Sequence, residues 1–350
     1  MLVFLYIYIN IVHTIDVVGS DYMKEKIKKV NIYLLLVLSM ILPINISAYS
    51  DYIIASGKSV GLEIKNNGVI VADFYSVNNI SPGLNAGLKK GDIIRNIDNK
   101  DIVSSNDFIN VIKNDKDNIL NITYYRSNKK YNTSLKLVKD NDVLKTGLYI
   151  KDKISGIGTL TFIDPNTKYY GALGHEMFDG DSKLKLEVYD GTIYDSKITS
   201  INKSTRGNPG SKRAISYSEE VFGNILENTN KGVFGKYTDN ISNNTLYKVS
   251  KNNEIKKGNA KIKTVINDKE VKEYDIKIIE IDYEDETKNI LFEVIDEELI
   301  KSSGGIVQGM SGSPIVQGNN IVGAVNNVVV NDPLKGYGIF ITSMLEEAEN

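Results

Sequence analysis

The feature that most constrains this chain is a glycine-rich corner near its end, residues 304–316, with the sequence GGIVQGMSGSPIV. An apolar pair enters the corner, Ser311 lies at its tip and a second apolar pair leaves it. Glycines on both sides permit turns that other residues cannot adopt, so successive backbone N–H groups can converge on one point. A serine nucleophile needs this arrangement, an exposed Oγ with donors aimed where an oxyanion forms. The alternative is a tight β-turn in which the serine is only a turn residue.

The composition limits the chemistry that is available. The chain has 350 residues, 41% hydrophobic and 25% charged, which is typical of soluble protein with about two domains. It has no cysteine and two histidines, His13 and His175, so thiolate sites are excluded and a histidine-rich zinc site is disfavoured. The net charge of -2 gives no indication of nucleic-acid binding. We expect no metal and no cofactor. An anion site at residues 309–313 lacks the strand–loop–helix context of a phosphate loop.

The amino-terminal region has the pattern of an export signal. Four lysines between residues 24 and 29 precede an almost wholly apolar run, residues 32–46, that ends at Ser47-Ala48. This pattern predicts a signal peptide or membrane anchor over residues 23–48, with the rest of the chain exported. If Met23 is the true start, residues 1–22 are upstream translation and His175 is the only histidine.

Residues 51–138 predict a small α/β domain. Residues 60–64 alternate, and residues 69–71 follow an Asn-Asn-Gly turn, which predicts a hairpin. Ser104 or Ser105 is a candidate cap for a helix that ends near Lys113. A second hairpin is expected over residues 122–137, with its turn at Ser127-Asn128.

This segment resembles a PDZ domain, most specifically through residues 81–94, SPGLNAGLKKGDII. The resemblance implies a groove between the strand near Leu62 and the helix near Phe108, to which an extended peptide adds as a strand. The loop that receives a terminal carboxylate would be formed by Ser59, Val60, Gly61 and Leu62.

Residues 147–350 read as many short strands separated by turns, which predicts an all-β barrel or sandwich. His175 directly follows one of these strands, in the stretch GALGHEM. Histidine is the usual general base for a serine nucleophile because its pKa lies near neutral pH. A carboxylate should orient the imidazole; the candidates by sequence are Asp179, Asp181, Asp296 and Asp332, and spacing alone does not choose among them.

Residues 147–350 also resemble the peptidase domain of the stage IV sporulation protein B family. The motifs that carry the resemblance are residues 171–175, 207–210, 304–314, 330–333 and 336–338. The resemblance implies a chymotrypsin-like all-β serine peptidase with His175, Asp296 and Ser311 as its triad. The oxyanion hole is expected from the backbone N–H groups of Gly309 and Ser311. Ser313 is the rival nucleophile, but it precedes a proline that restricts it to extended geometry.

The family further implies a sporulation endopeptidase that cuts its own amino-terminal region and then a membrane-anchored sporulation regulator. This would occur in the space between the forespore and mother-cell membranes and would lead to late sigma factor activation. Its partners would be that substrate, itself and the membrane, not nucleic acid. The alternative is a non-catalytic PDZ adaptor that retains a peptidase-like scaffold domain.

Overall fold

The structure is a computed structural model that describes residues 49–180, 186–241 and 245–349. The predicted signal segment, residues 23–48, and the possible upstream stretch, residues 1–22, lie outside the described residues. Among the helices that are described, none is long and apolar enough to cross a membrane.

Strands dominate the chain, as the sequence predicts. The strands of the amino-terminal half are β1 Tyr52–Ala55, β2 Ser59–Phe74, β3 Ile93–Ile97, β4 Lys100–Asp101, β5 Ile119–Arg126, β6 Lys129–Lys136, β7 Val138–Asp140, β8 Val143–Lys145, β9 Leu148–Ile163 and β10 Tyr169–Ala172. Those of the carboxy-terminal half are β11 Asp190–Asn202, β12 Ser211–Asn224, β13 Glu227–Thr229, β14 Gly232–Lys236, β15 Leu246–Val249, β16 Gly258–Val265, β17 Val271–Ile281, β18 Ile290–Val294, β19 Pro314–Gln317, β20 Asn320–Val328 and β21 Lys335–Phe340. The α-helices are α1 Pro82–Asn85, α2 Ser105–Lys113, α3 Glu297–Ser303 and α4 Ile341–Ala348, and a 3-10 turn spans Asn252–Glu254.

Six antiparallel strands form a first barrel. β2 pairs with β9 and β11, β9 with β10, β10 with β14, and β11 with β12. A bridge between Gly223 and Tyr237 joins β12 to the end of β14 and completes the ring. Its interior is filled by buried apolar side chains, among them Val60, Leu62, Leu160, Tyr170, Ile193 and Val233.

A second six-stranded antiparallel barrel follows. Its strands pair in the ring order β16, β17, β18, β21, β20, β19 and back to β16. The apolar core includes Ile262, Ile276, Phe292, Val307, Ile315 and Val325. Helix α4 buries Met344 and Leu345 in a further cluster with Phe162 of the first barrel and Ile339 of the second. This shared apolar cluster joins the two barrels.

A smaller sheet with helices α1 and α2 occupies the chain between β2 and β9. Helix α2 begins as predicted: Ser104 is its N-cap, and Ser104 and Asp107 form a reciprocal capping box. The predicted second hairpin is confirmed as β5 and β6, which pair along eight residues each. Its turn residues, Ser127 and Asn128, both have positive φ, 47° and 61°, as a two-residue hairpin turn requires.

The predicted first hairpin is wrong. Residues 59–74 form one continuous strand, β2, whose first half pairs in the first barrel and whose second half pairs with β3. In a hairpin, residues 60–64 would pair beside residues 69–71. The start of β9 pairs there instead, with Val71 opposite Ile150 and Phe74 opposite Leu148. The alternation of residues 60–64 suits either arrangement, because it shows only that one face of the strand is buried.

Candidate active site

Two loops, one from each barrel, meet where Gly312 packs against backbone. Gly312 has φ +88°, and a Cβ there would lie 2.1 Å from the carbonyl oxygen of Thr159 and 2.4 Å from the amide nitrogen of Leu173. The Thr159 N–H donates to the carbonyl of Ser311 at 3.0 Å. This approach brings the turn before β19, which carries Ser311, against the turn after β10, which carries His175.

His175 follows a tight turn in which Leu173 and Gly174 both have φ +68°. Its Nδ1–H donates to the backbone carbonyl of Glu176 at 2.8 Å. That bond places the proton on Nδ1 and leaves Nε2 as the basic nitrogen. Burial lowers the pKa of the imidazole, and the hydrogen bond to Glu176 and the Glu176 charge oppose this. The neutral form, which a general base requires, is therefore favoured at neutral pH.

Ser311 is partly exposed and lines the same cleft as His175. Its Oγ–H donates to the backbone carbonyl of Asn326 at 2.9 Å, so the hydroxyl must rotate to engage the imidazole. Ser313, the rival nucleophile, is fully buried, with its Oγ 3.5 Å from Thr159 Oγ1. Of the two serines, only Ser311 is accessible to a substrate from the cleft.

The predicted oxyanion donors are the backbone N–H groups of Gly309 and Ser311. The Gln308 carbonyl accepts from Lys212 N–H at 2.9 Å, and the Met310 carbonyl accepts from Ser313 N–H at 2.9 Å. In a planar trans peptide the N–H points opposite to the carbonyl, so the N–H groups of Gly309 and Ser311 face away from those partners. Within the described part of the chain neither N–H donates to any group. Both residues line the cleft.

The cleft has a volume of about 430 Å³. Its walls are mainly apolar and come from both barrels, including Leu62, Met177, Ile306, Val307, Val328 and Val330. Such walls suit an apolar side chain of a peptide beside the scissile bond. Across the described ranges, no group of three or more carboxylates and histidines is placed to hold a metal ion.

The structure does not bring Asp296 to His175. Asp296 is the N-cap of helix α3, where its Oδ1 accepts from Leu299 N–H at 3.0 Å and its Oδ2 from Asp275 N–H at 3.2 Å. It does not line the cleft, and the Nδ1–H of His175 is bound to a backbone carbonyl instead. The predicted Asp296–His175 contact is therefore not formed. Asp179, another candidate by sequence, pairs with Lys151.

The predicted carboxylate-binding loop is also absent. Ser59, Val60, Gly61 and Leu62 lie inside β2, where they pair with β9 on one side, and Val60, Gly61 and Leu62 also pair with β11 on the other. Their backbone groups face neighbouring strands on both edges and form no open loop. The strand that reaches helix α2 is β9, whose Asp152 carboxylate accepts from the Ser105 N–H at 2.7 Å.

Sequence reasoning missed two residues that hold the site. The Asn228 side chain binds the Met177 backbone twice, accepting from its N–H at 2.7 Å and donating to its carbonyl at 2.9 Å. It thereby fixes the loop that follows His175. Thr159 donates its hydroxyl to the Gly309 carbonyl at 2.9 Å. Both contacts join segments far apart in the chain, so no local pattern indicates them.

Comparison with protein families decides the assignment. The family model described as SpoIVB peptidase S55 matches residues 142–345. The chain belongs to the SpoIVB peptidase S55 family. The family expected from the sequence is thus confirmed, and with it a sporulation serine peptidase. A PDZ domain model matches residues 59–137.

Similar solved structures include a PDZ domain and a protease. The PDZ domain of the SdrC-like protein Lmo2051 from Listeria monocytogenes is 27% identical, covers 25% of this chain and 90% of its own, and has a TM-score of 0.21. The inactive form of the Rv3671c protease is 12% identical, covers 55% and 85%, and has a TM-score of 0.30. A serine-to-alanine mutant of Rv3671c from M. tuberculosis H37Rv is 10% identical over 55% and 82%, with a TM-score of 0.29. Comparison with curated proteins gave no match.

Proposed function

We propose that this family member is an active serine endopeptidase in which Ser311 is the nucleophile and His175 the general base. The observation that carries the proposal is that the N–H groups of Gly309 and Ser311 have no acceptor among the described residues, and that both residues line the cleft with His175. A turn that merely contains a serine has no need of two donors facing a cleft that a peptide can enter.

In the proposed reaction, the Ser311 hydroxyl leaves the Asn326 carbonyl and transfers its proton to His175 Nε2 as Oγ attacks the peptide carbonyl. The N–H groups of Gly309 and Ser311 stabilise the oxyanion. His175 then gives the proton to the leaving amine, and an acyl-enzyme forms on Ser311. Water, deprotonated by His175, hydrolyses that ester and regenerates the serine.

The role of Asp296 as third triad member remains a prediction from the family resemblance. Its carboxylate serves as a helix cap in this structure, so a catalytic role requires α3 to release it. The His175 Nδ1–H already has an acceptor in the Glu176 carbonyl. The bond to Glu176 is itself able to fix the tautomer.

The proposed substrates are the chain's own amino-terminal region and a membrane-anchored sporulation regulator. The lysine-flanked apolar run of residues 23–48 supports an exported, membrane-tethered start. Self-cleavage would then release the enzyme into the space between the forespore and mother-cell membranes. Expression of the full-length chain should yield amino-terminally shortened product, and the Ser311→Ala chain should remain intact unless active enzyme is added.

Covalent labelling tests the nucleophile. The full-length protein is treated with a fluorophosphonate, beside Ser311→Ala and His175→Ala, and the labelled peptide is sequenced. We expect label on Ser311 that is absent from Ser311→Ala and falls by several orders of magnitude in His175→Ala. A folded wild-type protein that takes no label would overturn the proposal and favour the non-catalytic adaptor.

A further inference from the structure

Lys212, near the start of β12, is a buried lysine that the proposed reaction does not use. Its residue surface is 6% exposed, and its Nζ donates to the hydroxyl of Thr264 at 2.8 Å. Among the described residues it forms no ion pair with a carboxylate. A buried amine without a counter-ion is costly to the fold, so its position needs a local explanation.

The side chain of Lys212 lies against the turn before β19 that contains Gly309 and Ser311, which we call the oxyanion loop. A Cβ built on Gly309, which has φ +91°, would lie 3.2 Å from both Cβ and Cδ of Lys212. The lysine stem therefore packs against the face of Gly309 where a side chain would be. No larger residue fits at position 309 unless this stem moves.

The backbone around Lys212 fixes the peptide that ends at Gly309. Lys212 N–H donates to the Gln308 carbonyl at 2.9 Å, and Gln308 N–H donates to the Gly210 carbonyl at 2.8 Å. The first bond fixes the orientation of the Gln308–Gly309 peptide, and with it the direction of the Gly309 N–H, and the second fixes the peptide before it.

The amine extends this support into the other barrel. Lys212 belongs to β12 of the first barrel, and Thr264, which is fully buried, belongs to β16 of the second. The Nζ–Thr264 hydrogen bond thus links the two barrels beside the oxyanion loop. A rotation of either barrel that broke this bond would also withdraw the stem from Gly309.

We propose that Lys212 is a positioning residue for the oxyanion hole. Its stem supports Gly309, and its amine, bound to Thr264, keeps Gly309 in a fixed position relative to Ser311. The proposal rests on the proposed peptidase function. Lys212 acts through Gly309 and does not itself contact the reacting atoms.

The protonation state of the Lys212 amine should make the arrangement of the oxyanion loop depend on pH. Burial lowers the pKa of Lys212 to about 7. The charged groups on the elements around it are engaged or exposed: Lys263 on β16 lies over the Tyr247 ring, Lys197 on β11 pairs with Asp268, and Arg213 is exposed. The Gln308–Gly309 segment carries no charge. Protonation therefore places an uncompensated cation beside the oxyanion loop, and we expect the loop to lose its active arrangement as the pH falls through about 7.

The test measures fluorophosphonate labelling of full-length protein between pH 5.5 and 9, and separates the maximal rate from the half-saturating probe concentration. The variants are Lys212→Met, which keeps the stem and removes the amine, Lys212→Ala, which removes both, and Thr264→Val. Lys263→Met, a half-buried lysine on the strand of Thr264, is the matched control.

Loss of one oxyanion donor costs about 10²–10³ in rate. We expect Lys212→Ala to lower the maximal labelling rate at least about tenfold, with little change in the half-saturating concentration, and Thr264→Val to lower it less. The labelling rate of the wild type should fall at acidic pH because two groups become protonated, Lys212 and His175. In Lys212→Met it should fall because of His175 alone. One pH unit below a pKa of about 7, the wild type should retain roughly a tenth of its Lys212-dependent rate, a loss that Lys212→Met should not show.

The outcomes separate the two proposals. A wild-type protein that takes no label refutes the peptidase assignment. A wild type that labels normally, with Lys212→Met showing the wild-type pH profile or Lys212→Ala showing the wild-type maximal rate, refutes the role of Lys212. A changed profile in Lys263→Met equal to that in Lys212→Met would also refute it, because the effect would then not depend on contact with Gly309.

Discussion

The carbonyl oxygen of Thr159 lies only 2.1 Å from the point where a side chain on Gly312 would begin. The turn that carries Ser311 is therefore in backbone contact with β9, which carries Thr159, and with Leu173 in the turn before His175, without a side chain between them. The contact lies between the turn that carries Ser311 and the region of the His175 turn, and both residues line one cleft.

Gly312→Ala should disrupt this contact. The methyl group would overlap backbone atoms of Thr159 and Leu173, which cannot rotate away, and φ +88° is itself unfavourable for alanine. We expect a loss of about 3 kcal/mol or more in the free energy of unfolding, together with loss of Ser311 labelling. Denaturant unfolding measures the first quantity.

Gly318→Ala is the control for this change. Gly318 also has positive φ, 62°, but nothing lies within 4 Å of its absent Cβ. It should lose only about 1 kcal/mol, the cost of the backbone conformation. Equal losses at the two positions would show that strain, not the contact with Thr159, determines the effect at Gly312.

Asp296→Asn separates the two roles of Asp296. Asparagine caps a helix about as well as aspartate, but its amide has only one acceptor oxygen and loses the exposed bond from Asp275 N–H. In this structure the substitution should therefore cost no more than about 1 kcal/mol and leave labelling within a few-fold of wild type. Loss of a triad carboxylate costs about 10⁴ in rate. A loss of that size in Asp296→Asn, with no larger change in unfolding, would establish that the carboxylate reaches His175 in the working enzyme. Asp296→Ala should cost about 1 kcal/mol through the lost cap.

The parts of the site that the sequence predicts are those encoded by adjacent residues. The glycine-rich turn that holds Ser311 follows from a run of glycines around one serine, and the cap of α2 at Ser104 follows from a serine placed before an apolar helical pattern. Each depends on local backbone geometry, which neighbouring side chains determine.

What the local sequence does not decide depends on distant segments. Asp296 precedes Glu-Glu-Leu, a helix-start signal, and caps α3 in this structure, while its role in the triad stays a prediction. Residues 60–64 alternate whether they form a hairpin or a barrel strand. Which of these occurs depends on β9 and β11, more than 80 residues away along the chain, whose pairing the local pattern does not encode.

The start of β9 should be needed to complete the PDZ-like sheet. The PDZ domain model ends at residue 137, but Leu148 is 6% exposed and belongs to the core of that sheet, and Asp152 binds the start of α2. A fragment of residues 66–152 should unfold cooperatively, and a fragment of residues 66–137 should not. Small domains have only a few kcal/mol of stability, and loss of one buried leucine costs about 2–5 kcal/mol.

Leu148→Ala in the longer fragment tests the same point without a change of length. It should lower the urea midpoint markedly, whereas Tyr149→Ala, at the exposed neighbour, should lower it less. A short fragment as stable as the long one would show that β9 only lies against a sheet that is already complete.

Lys212 should make stability depend on pH in a defined window. Its pKa is about 7 in the folded chain and near 10.5, the ordinary value, when unfolded. Between these values the unfolded chain holds a proton that the native chain does not, so stability rises with pH by up to about 1.4 kcal/mol per unit. Below pH 7 both states are protonated and the full cost of burial is present.

Lys212→Met removes this titration, so the variant should be more stable than wild type near pH 7 and lose its advantage steadily toward pH 10. Urea unfolding of both chains, each also carrying Ser311→Ala to prevent self-cleavage, measures the difference. Lys277→Met, at an exposed position on β17, should show no such trend. The difference in unfolding free energy between wild type and Lys212→Met could instead stay constant from pH 7 to 10. Lys212 would then not be buried as a neutral amine, and the expected pH dependence of the oxyanion loop would be refuted.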